Sequence, residues 1–76
     1  MVIAFVFLNS EIGYDPQVEA SLKETAEIKE VFSLYGIYDY IVKLEMESID
    51  ELKNIISEKI RRIKNIRSSL TLIVVE

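Results

Sequence analysis

The sequence predicts an α+β domain in which two helices cover one face of a four-stranded antiparallel sheet. Three observations support this prediction: an apolar run opens the chain, a strictly alternating segment lies in its middle, and two helix-start signals separate the strand-like segments. The resulting order βαββαβ is typical of such a sheet, and 76 residues suffice for one domain of this kind.

The first strand and the first helix follow from the first thirty residues. Residues 2–8 are aliphatic or aromatic and are followed by an Asn-Ser pair that favours a turn, which predicts a strand. Asp15 is expected to cap a helix, with Pro16 at the first helical position, where its missing N–H costs nothing. The helix is expected to end near residues 27–29. Its apolar stripe repeats every four residues: Val18, Leu22 and Ala26.

Two strands are predicted in the middle of the chain. Residues 31–35 form the first of them, and Gly36 ends it with a turn. Residues 38–47 alternate with period two and predict the other. Its even positions are expected to face the core: Tyr38, Tyr40, Val42, Leu44 and Met46. Its odd positions are expected to lie on the opposite face: Asp39, Ile41, Lys43, Glu45 and Glu47.

The second helix begins with a capping box formed by Ser48 and Glu51. It is predicted to end near Asn65. Its apolar residues share one helical face: Ile49, Leu52, Ile56, Ile60 and Ile63. Residues 70–75 are predicted to form the last strand, with these residues facing the helices: Leu70, Leu72 and Val74. The complete order predicts a ferredoxin-like plait.

The sheet face opposite the helices poses a physical problem. The first strand is apolar at every position, so both of its faces need burial, and the last strand is expected to place Ile73 and Val75 on the uncovered side. An exposed apolar face of this size is an association surface, and two sheets packed face to face would cover it as a dimeric α/β barrel. On the same parity argument, four polar residues are predicted to lie on this face: Asp39, Lys43, Ser69 and Thr71.

Composition excludes several function classes. The net charge of −4 argues against a general nucleic-acid binder, and the absence of Cys and His argues against a metal carrier and leaves no metal or catalytic residue to nominate. No signal or membrane-length run is present, so a cytoplasmic protein without a cofactor or membrane contact is expected. Five cations lie within residues 59–67; they suit a helix C-terminus, with a binding patch as the alternative.

Residues 36–40, Gly-Ile-Tyr-Asp-Tyr, followed by an alternating strand, resemble the Gly-x-Tyr-Asp motif of the effector-binding (RAM) domain of Lrp/AsnC transcription regulators. Residues 66–71 before a hydrophobic strand are similar to the closing strand of that family, and residues 11–14 and 59–63 fit the same pattern. Asn65 replaces the usual Gly, and Ser69 the usual Thr; Asn tolerates left-handed geometry, and Ser keeps the hydroxyl.

The resemblance covers residues 1–76 and implies a single RAM domain. Because the resemblance begins at the first strand, we expect a stand-alone domain with no helix-turn-helix and no direct DNA binding. It also implies homodimers paired through their sheets, rings such as an octamer of four dimers, and an effector, commonly an amino acid, bound between dimers. The ligand-binding residues carried over from the motifs are Gly36, Tyr38, Asp39, Tyr40, Ser69 and Thr71.

The resemblance suggests roles for these residues. Asp39 would pair with an α-ammonium group, Gly36 would let backbone N–H groups approach a carboxylate, hydroxyls would orient the ligand, and aromatic rings would line the pocket. For Asp39 the alternative is a turn residue that binds local backbone.

Other functions are also compatible with parts of this sequence pattern. A ligand-free assembly module that co-oligomerises with full-length regulators is the main alternative. A small dimeric-barrel enzyme would have to rely on Asp39, a Glu or a Tyr for acid–base chemistry. An ACT-type amino-acid sensor shares the element order but lacks the Gly-x-Tyr-Asp turn, and an RNA-binding domain would need basic residues around Phe5 and Phe7.

Overall fold

The computed structural model describes residues 1–74 and shows the predicted plait. Its elements are β1 (Val2–Ser10), α1 (Asp15–Glu24), β2 (Ile28–Ser33), β3 (Tyr40–Met46), α2 (Ile49–Ile55, continued by a π-helical turn over Ile56–Ile60) and β4 (Ile66–Val74). The four strands form one antiparallel sheet in the order β2-β3-β1-β4. The predicted fold class is therefore confirmed.

One face of the sheet packs against both helices and forms the core. Alternate residues of β1 and β3 lie there because side chains alternate between the two faces of a strand. The even-numbered residues of β3 supply this face, as predicted, whereas Tyr38 lies outside the strand. The buried core consists of Ala4, Val6, Leu8, Val18, Leu22, Tyr40, Val42, Leu44, Leu52, Ile56 and Ile60.

The helix starts differ in how they are capped. At α2 the predicted cap is present: the Glu51 N–H donates to Ser48 Oγ at 3.2 Å. At α1 the prediction that Asp15 caps the helix is wrong, because Tyr14 occupies the N-cap position without a side-chain cap and Asp15 is already helical. Helix α1 also ends earlier than predicted, at Glu24. The extended backbone of Thr25 stops it, so Ala26 is exposed outside the helix.

The middle strands are shifted relative to the prediction. Strand β2 begins at Ile28 and ends at Ser33, and β3 begins only at Tyr40. The Asp39 backbone accounts for part of this shift. Its N–H donates to Leu8 O at 2.9 Å while its carbonyl accepts from Leu34 N–H at 2.8 Å, which closes the β2–β3 connection.

The predicted facing of β4 is wrong. Thr71 lies opposite Val6 and Ile73 opposite Ala4, both of which are core residues. Directly paired residues share a sheet face, so Thr71 and Ile73 face the helices. The residues predicted to face the helices therefore lie on the opposite face of the sheet: Leu70, Leu72 and Val74. The predicted placement of Val75 lies outside the described residues.

The face opposite the helices is largely apolar, and we call it the open face. One row crosses all four strands: Phe32, Ile41, Phe7 and Leu70. The next row places Lys43 beside Phe5 and Leu72. Lys43 Nζ lies 3.7 Å from the Glu30 carboxylate and 3.6 Å from that of Glu45, so the charges cluster at the β2–β3 side. The predicted apolar sheet face is present, with Lys43 on it as expected.

Candidate functional site

A group of polar side chains lies at one end of the sheet, where β1 approaches α1 and the β2–β3 loop. We call it the polar end, and it consists of Asn9, Ser10, Asp15, Asp39 and Ser68. Asn9 is 8% exposed and Ser10 is 3% exposed; they are the buried polar residues of the described chain. Buried polar groups need hydrogen-bond partners, and here these partners come from three segments of the chain: α1, the β2–β3 loop and β4.

Asp39 is held at the polar end by both its backbone and its carboxylate. Its Oδ2 accepts from the Ser10 N–H at 2.9 Å and lies 3.2 Å from the Ser10 hydroxyl. Its N–H also donates to Asn9 Oδ1 at 3.1 Å, and Asn9 Nδ2 donates in turn to Ser68 Oγ at 3.2 Å. The carboxylate therefore points along the sheet end, not onto the open face as the parity argument predicted.

The Ser10 hydroxyl lies between two carboxylates. It is within hydrogen-bond distance of Asp15 Oδ1 as well as Asp39 Oδ2. A hydroxyl has one proton, so it can donate to only one of these two acceptors at a time. One of the two carboxylates is therefore left without the hydroxyl proton, and a cationic group with several N–H donors could bind both carboxylates at once.

Tyr40 shows that this end of the molecule is electronegative. Its side chain is buried, and its hydroxyl donates to the carbonyl of Asp15 at 3.2 Å. Burial raises the pKa of the Tyr40 hydroxyl above its ordinary value, and the neighbouring negative charges of Asp15, Glu19 and Asp39 raise it further. Three carboxylates therefore act on one buried group, which favours a cation in this region.

The two other residues of the Gly-x-Tyr-Asp motif lie in the β2–β3 loop. The Tyr38 ring packs against Phe7, with ring centroids 5.3 Å apart, so it borders the open face. The prediction that Tyr38 faces the core is therefore wrong. Gly36 is exposed, and a Cβ placed on it would meet no atom within 4 Å. This loop leaves its backbone open to an approaching group.

The predicted β4 residues do not join the polar end. Ser69 pairs with Leu8 and Thr71 with Val6, so both share the helix-covered face, and the prediction that they lie with Asp39 on the open face is wrong. Ser68 takes that place beside Asn9. Sequence reasoning missed Asn9 and Ser10 as site residues. The available signal was their position directly after the apolar run of the first strand, and in the structure β1 continues through them.

Asn65 behaves as its position in the motif suggests. Its backbone is left-handed, at φ 69°, and its carbonyl accepts from the Glu11 N–H at 2.7 Å. Asn adopts this geometry more readily than other non-glycine residues. The turn brings β4 into register beside β1 and so places Ser68 opposite Asn9.

Within residues 1–74, no group of three or more acidic, His or Cys side chains is arranged to hold a metal ion. In the same range, neither helix is long and apolar enough to cross a membrane.

Comparison with known proteins gives a consistent family assignment. A family model described as the Lrp/AsnC ligand binding domain matches residues 3–76. The regulatory protein AsnC of Escherichia coli is 34% identical over 71 residues, which is 93% of this chain and 46% of AsnC. The crystal structure of FFRP-DM1 superposes with a TM-score of 0.90 at 36% identity, covering 99% of this chain and 100% of that chain.

Two further matches give the range of these relatives. PHS023 of Pyrococcus horikoshii, described as a hypothetical protein, is 36% identical with a TM-score of 0.89, covering 100% of this chain and 92% of that one. A homocitrate synthase of Sulfurisphaera tokodaii is 38% identical over 63 residues, which is 83% of this chain but 14% of that enzyme.

The chain spans about half the length of the curated regulators it matches. The family model nevertheless covers nearly all of its residues. The chain therefore belongs to the Lrp/AsnC ligand-binding domain family.

Proposed function

We propose that the chain is an effector-sensing and oligomerisation domain that binds an amino acid at the polar end. The observation that carries this proposal is the Ser10 hydroxyl, which lies between the carboxylates of Asp15 and Asp39. An α-ammonium group has three N–H donors, so it would satisfy the acceptors that one hydroxyl leaves unpaired. A charge-assisted pair with Asp39 would fix its position.

The β2–β3 loop is the proposed contact for the carboxylate of the same ligand. In the described chain, the N–H groups of residues 35–38 donate no hydrogen bond to another part of the protein. The open space around Gly36 lets a ligand oxygen approach these donors closely. The proposed ligand contacts are therefore Gly36, Tyr38 and Asp39. Tyr40 would contribute by holding the start of α1 in place rather than by direct contact, since its ring is buried.

Oligomerisation is proposed to use two surfaces. The apolar open face would pair two sheets into a dimer. The β2–β3 loop carries Tyr35 and Ile37, which are almost wholly exposed, and Ile12 of the β1–α1 connection is 89% exposed. Apolar side chains at such a rim suit a second contact, through which dimers would form a ring. The effector would then bind where this second contact meets the polar end.

A non-catalytic role is part of the proposal. The match to the curated regulator AsnC supports it, and the homocitrate synthase match concerns a small part of that enzyme. A ligand-free assembly module is the competing function, because the open face and the exposed loop serve it equally well.

A thermal-shift screen with the twenty amino acids tests the proposal, because a ligand that binds only the folded protein raises its melting temperature. The best ligand is then titrated by calorimetry into wild type, Asp39→Asn and the control Asp50→Asn, which alters an acidic residue in the first turn of α2. Loss of a charged hydrogen bond costs about 1.5–3 kcal/mol, so Asp39→Asn is expected to weaken binding about 10- to 150-fold.

The control variant is expected to bind like wild type. Asn can still accept from the Ser10 N–H, so the stability of Asp39→Asn should be nearly unchanged. Equal affinities for wild type and Asp39→Asn would mean that Asp39 only braces the loop. A screen in which no amino acid raises the melting temperature would favour the assembly module.

A further inference from the structure

A cleft lies between α2 and the edge strand β4, away from the polar end. Its volume is about 420 Å³, and its walls are formed by Lys53, Ile56, Ser57, Arg61, Thr71 and Ile73. Small-molecule sites in proteins are of this size and combine apolar walls with a few polar groups. Ile56 and Ile73 supply the apolar part here, and the other four residues supply donors.

The two cations of the cleft are free to bind an anion. Within residues 1–74, no carboxylate lies within ion-pair distance of Lys53 or Arg61. Two other cations of residues 59–67 are paired, Lys59 with Glu27 at 2.7 Å and Arg62 with Glu58 at 3.5 Å, whereas Lys64 and Arg67 form no ion pair with the described residues. Among the described residues, positive charge is therefore left unpaired at the cleft, although the chain as a whole is acidic.

A π-helical turn brings Arg61 to this position. The Arg61 N–H donates to the carbonyl of Ile56 at 2.9 Å, five residues earlier, so the end of the helix is wider than an α-helix. Such turns occur frequently at functional sites. The same turn contains Ser57, whose hydroxyl donates to the Lys53 carbonyl at 2.8 Å and keeps lone pairs for a further contact.

Thr71 gives an independent indication of a ligand. Its Oγ1 is buried and has no hydrogen-bond partner in the described chain. A buried hydroxyl left unpaired is destabilising, and among the described residues only one other buried side-chain atom, Glu27 Oε1, lacks a partner. Thr71 itself lines the cleft, so a change of its side-chain rotamer would let this hydroxyl donate to an oxygen atom bound there.

We propose that the α2–β4 cleft is a second ligand site, which takes a small metabolite bearing an oxyanion and a short apolar body. Lys53 and Arg61 would bind the oxyanion, Thr71 would donate to one of its oxygens, and the two isoleucines would cover the apolar part. A phosphate and a carboxylate share this chemistry. The site is separate from the proposed amino-acid site: Thr71 pairs with Val6 in the middle of β1, whereas the polar end lies at the end of that strand.

The test follows backbone amide resonances of the intact chain during titration with inorganic phosphate and, separately, with succinate, at constant ionic strength because exposed charges are screened by salt. Saturable shifts are expected at residues 53–61 and 71–73, with the polar end unaffected. A stronger response to phosphate identifies a phosphate ligand, and a stronger response to succinate a carboxylate; either result supports the site.

Variants distinguish a built site from diffuse attraction. Arg61 is exposed, so Arg61→Gln is expected to fold normally and to weaken binding of the preferred probe at least tenfold. The matched control, Lys29→Gln, removes an exposed cation from β2 at the opposite edge of the sheet and should bind within twofold of wild type. Unsaturable shifts, or equal weakening by both variants, would overturn the proposal. Its failure would leave the Asp39 titration unaffected.

Discussion

Truncation of Leu72 to alanine is expected to weaken association of two copies through the open face. Leu72 is 50% exposed and lies on the edge strand β4, opposite Phe5 of β1 on that face. Full burial of a leucine side chain is worth about 1.5–3 kcal/mol, so its exposed half is worth about 1 kcal/mol. A two-fold interface contains the residue twice, which gives about 2 kcal/mol, or roughly 30-fold in the dimer dissociation constant.

Sedimentation equilibrium over a range of protein concentrations measures this constant. The matched control is Ile49→Ala, which truncates a side chain of similar exposure, 43%, at the start of α2 and away from the open face. The control should dimerise like wild type. If Leu72→Ala and Ile49→Ala give the same dissociation constant, the dimer does not use the open face and the reasoning is refuted.

Two further predictions concern the core. Leu22 is fully buried between α1 and the sheet, so Leu22→Ala should lower the free energy of unfolding by about 2–5 kcal/mol in urea denaturation at fixed protein concentration, and an unchanged midpoint would contradict its placement. Tyr40→Phe removes a hydroxyl whose folded-state pKa lies above its unfolded value of 10.0, mainly because of burial. The contribution of this hydroxyl to the free energy of unfolding is fully present below pH 10 and is lost as the pH rises through the folded-state pKa. The variant should therefore lose less stability than wild type above pH 10. At neutral pH the variant should be less stable by about 0.5–1.5 kcal/mol, because the hydrogen bond to Asp15 is lost. An equal fall in the free energy of unfolding of both proteins above pH 10 would refute this prediction.

Local signals in the sequence predicted most of the fold. Strand β3 alternates cleanly because one of its faces is buried by the helices, and the Ser48 cap acts over three residues. Both features depend on neighbours in the chain, so they can be recognised without knowing the tertiary structure.

The facing of β4 could not be deduced in the same way. Both of its residue sets contain apolar side chains, because one set packs toward the helices and the other belongs to the open face. The more apolar set, with Leu70 and Leu72, lies on the open face, and the set with Thr71 faces the incompletely filled cleft beside α2. Alternation reveals that two faces exist but does not say which one the helices cover.

The polar end was predicted in part. The Gly-x-Tyr-Asp motif drew attention to Asp39, but its partners Ser10 and Asp15 come from another part of the chain. The Asn-Ser pair after the apolar run suggests a turn by composition, whereas β1 continues through it with an irregularity in its pairing between Asn9 and Ser10. This irregularity lies in the pairing of β1 with β4, so only the assembled sheet reveals it.

A crystal structure of the chain with the amino acid that gives the largest thermal shift would locate the effector site. We expect the ligand's α-ammonium group within hydrogen-bond distance of the Asp39 carboxylate at the polar end, and its carboxylate on the backbone N–H groups of residues 35–38. A ligand bound elsewhere, with the Ser10, Asp15 and Asp39 contacts unchanged and no ligand atom near them, would contradict it.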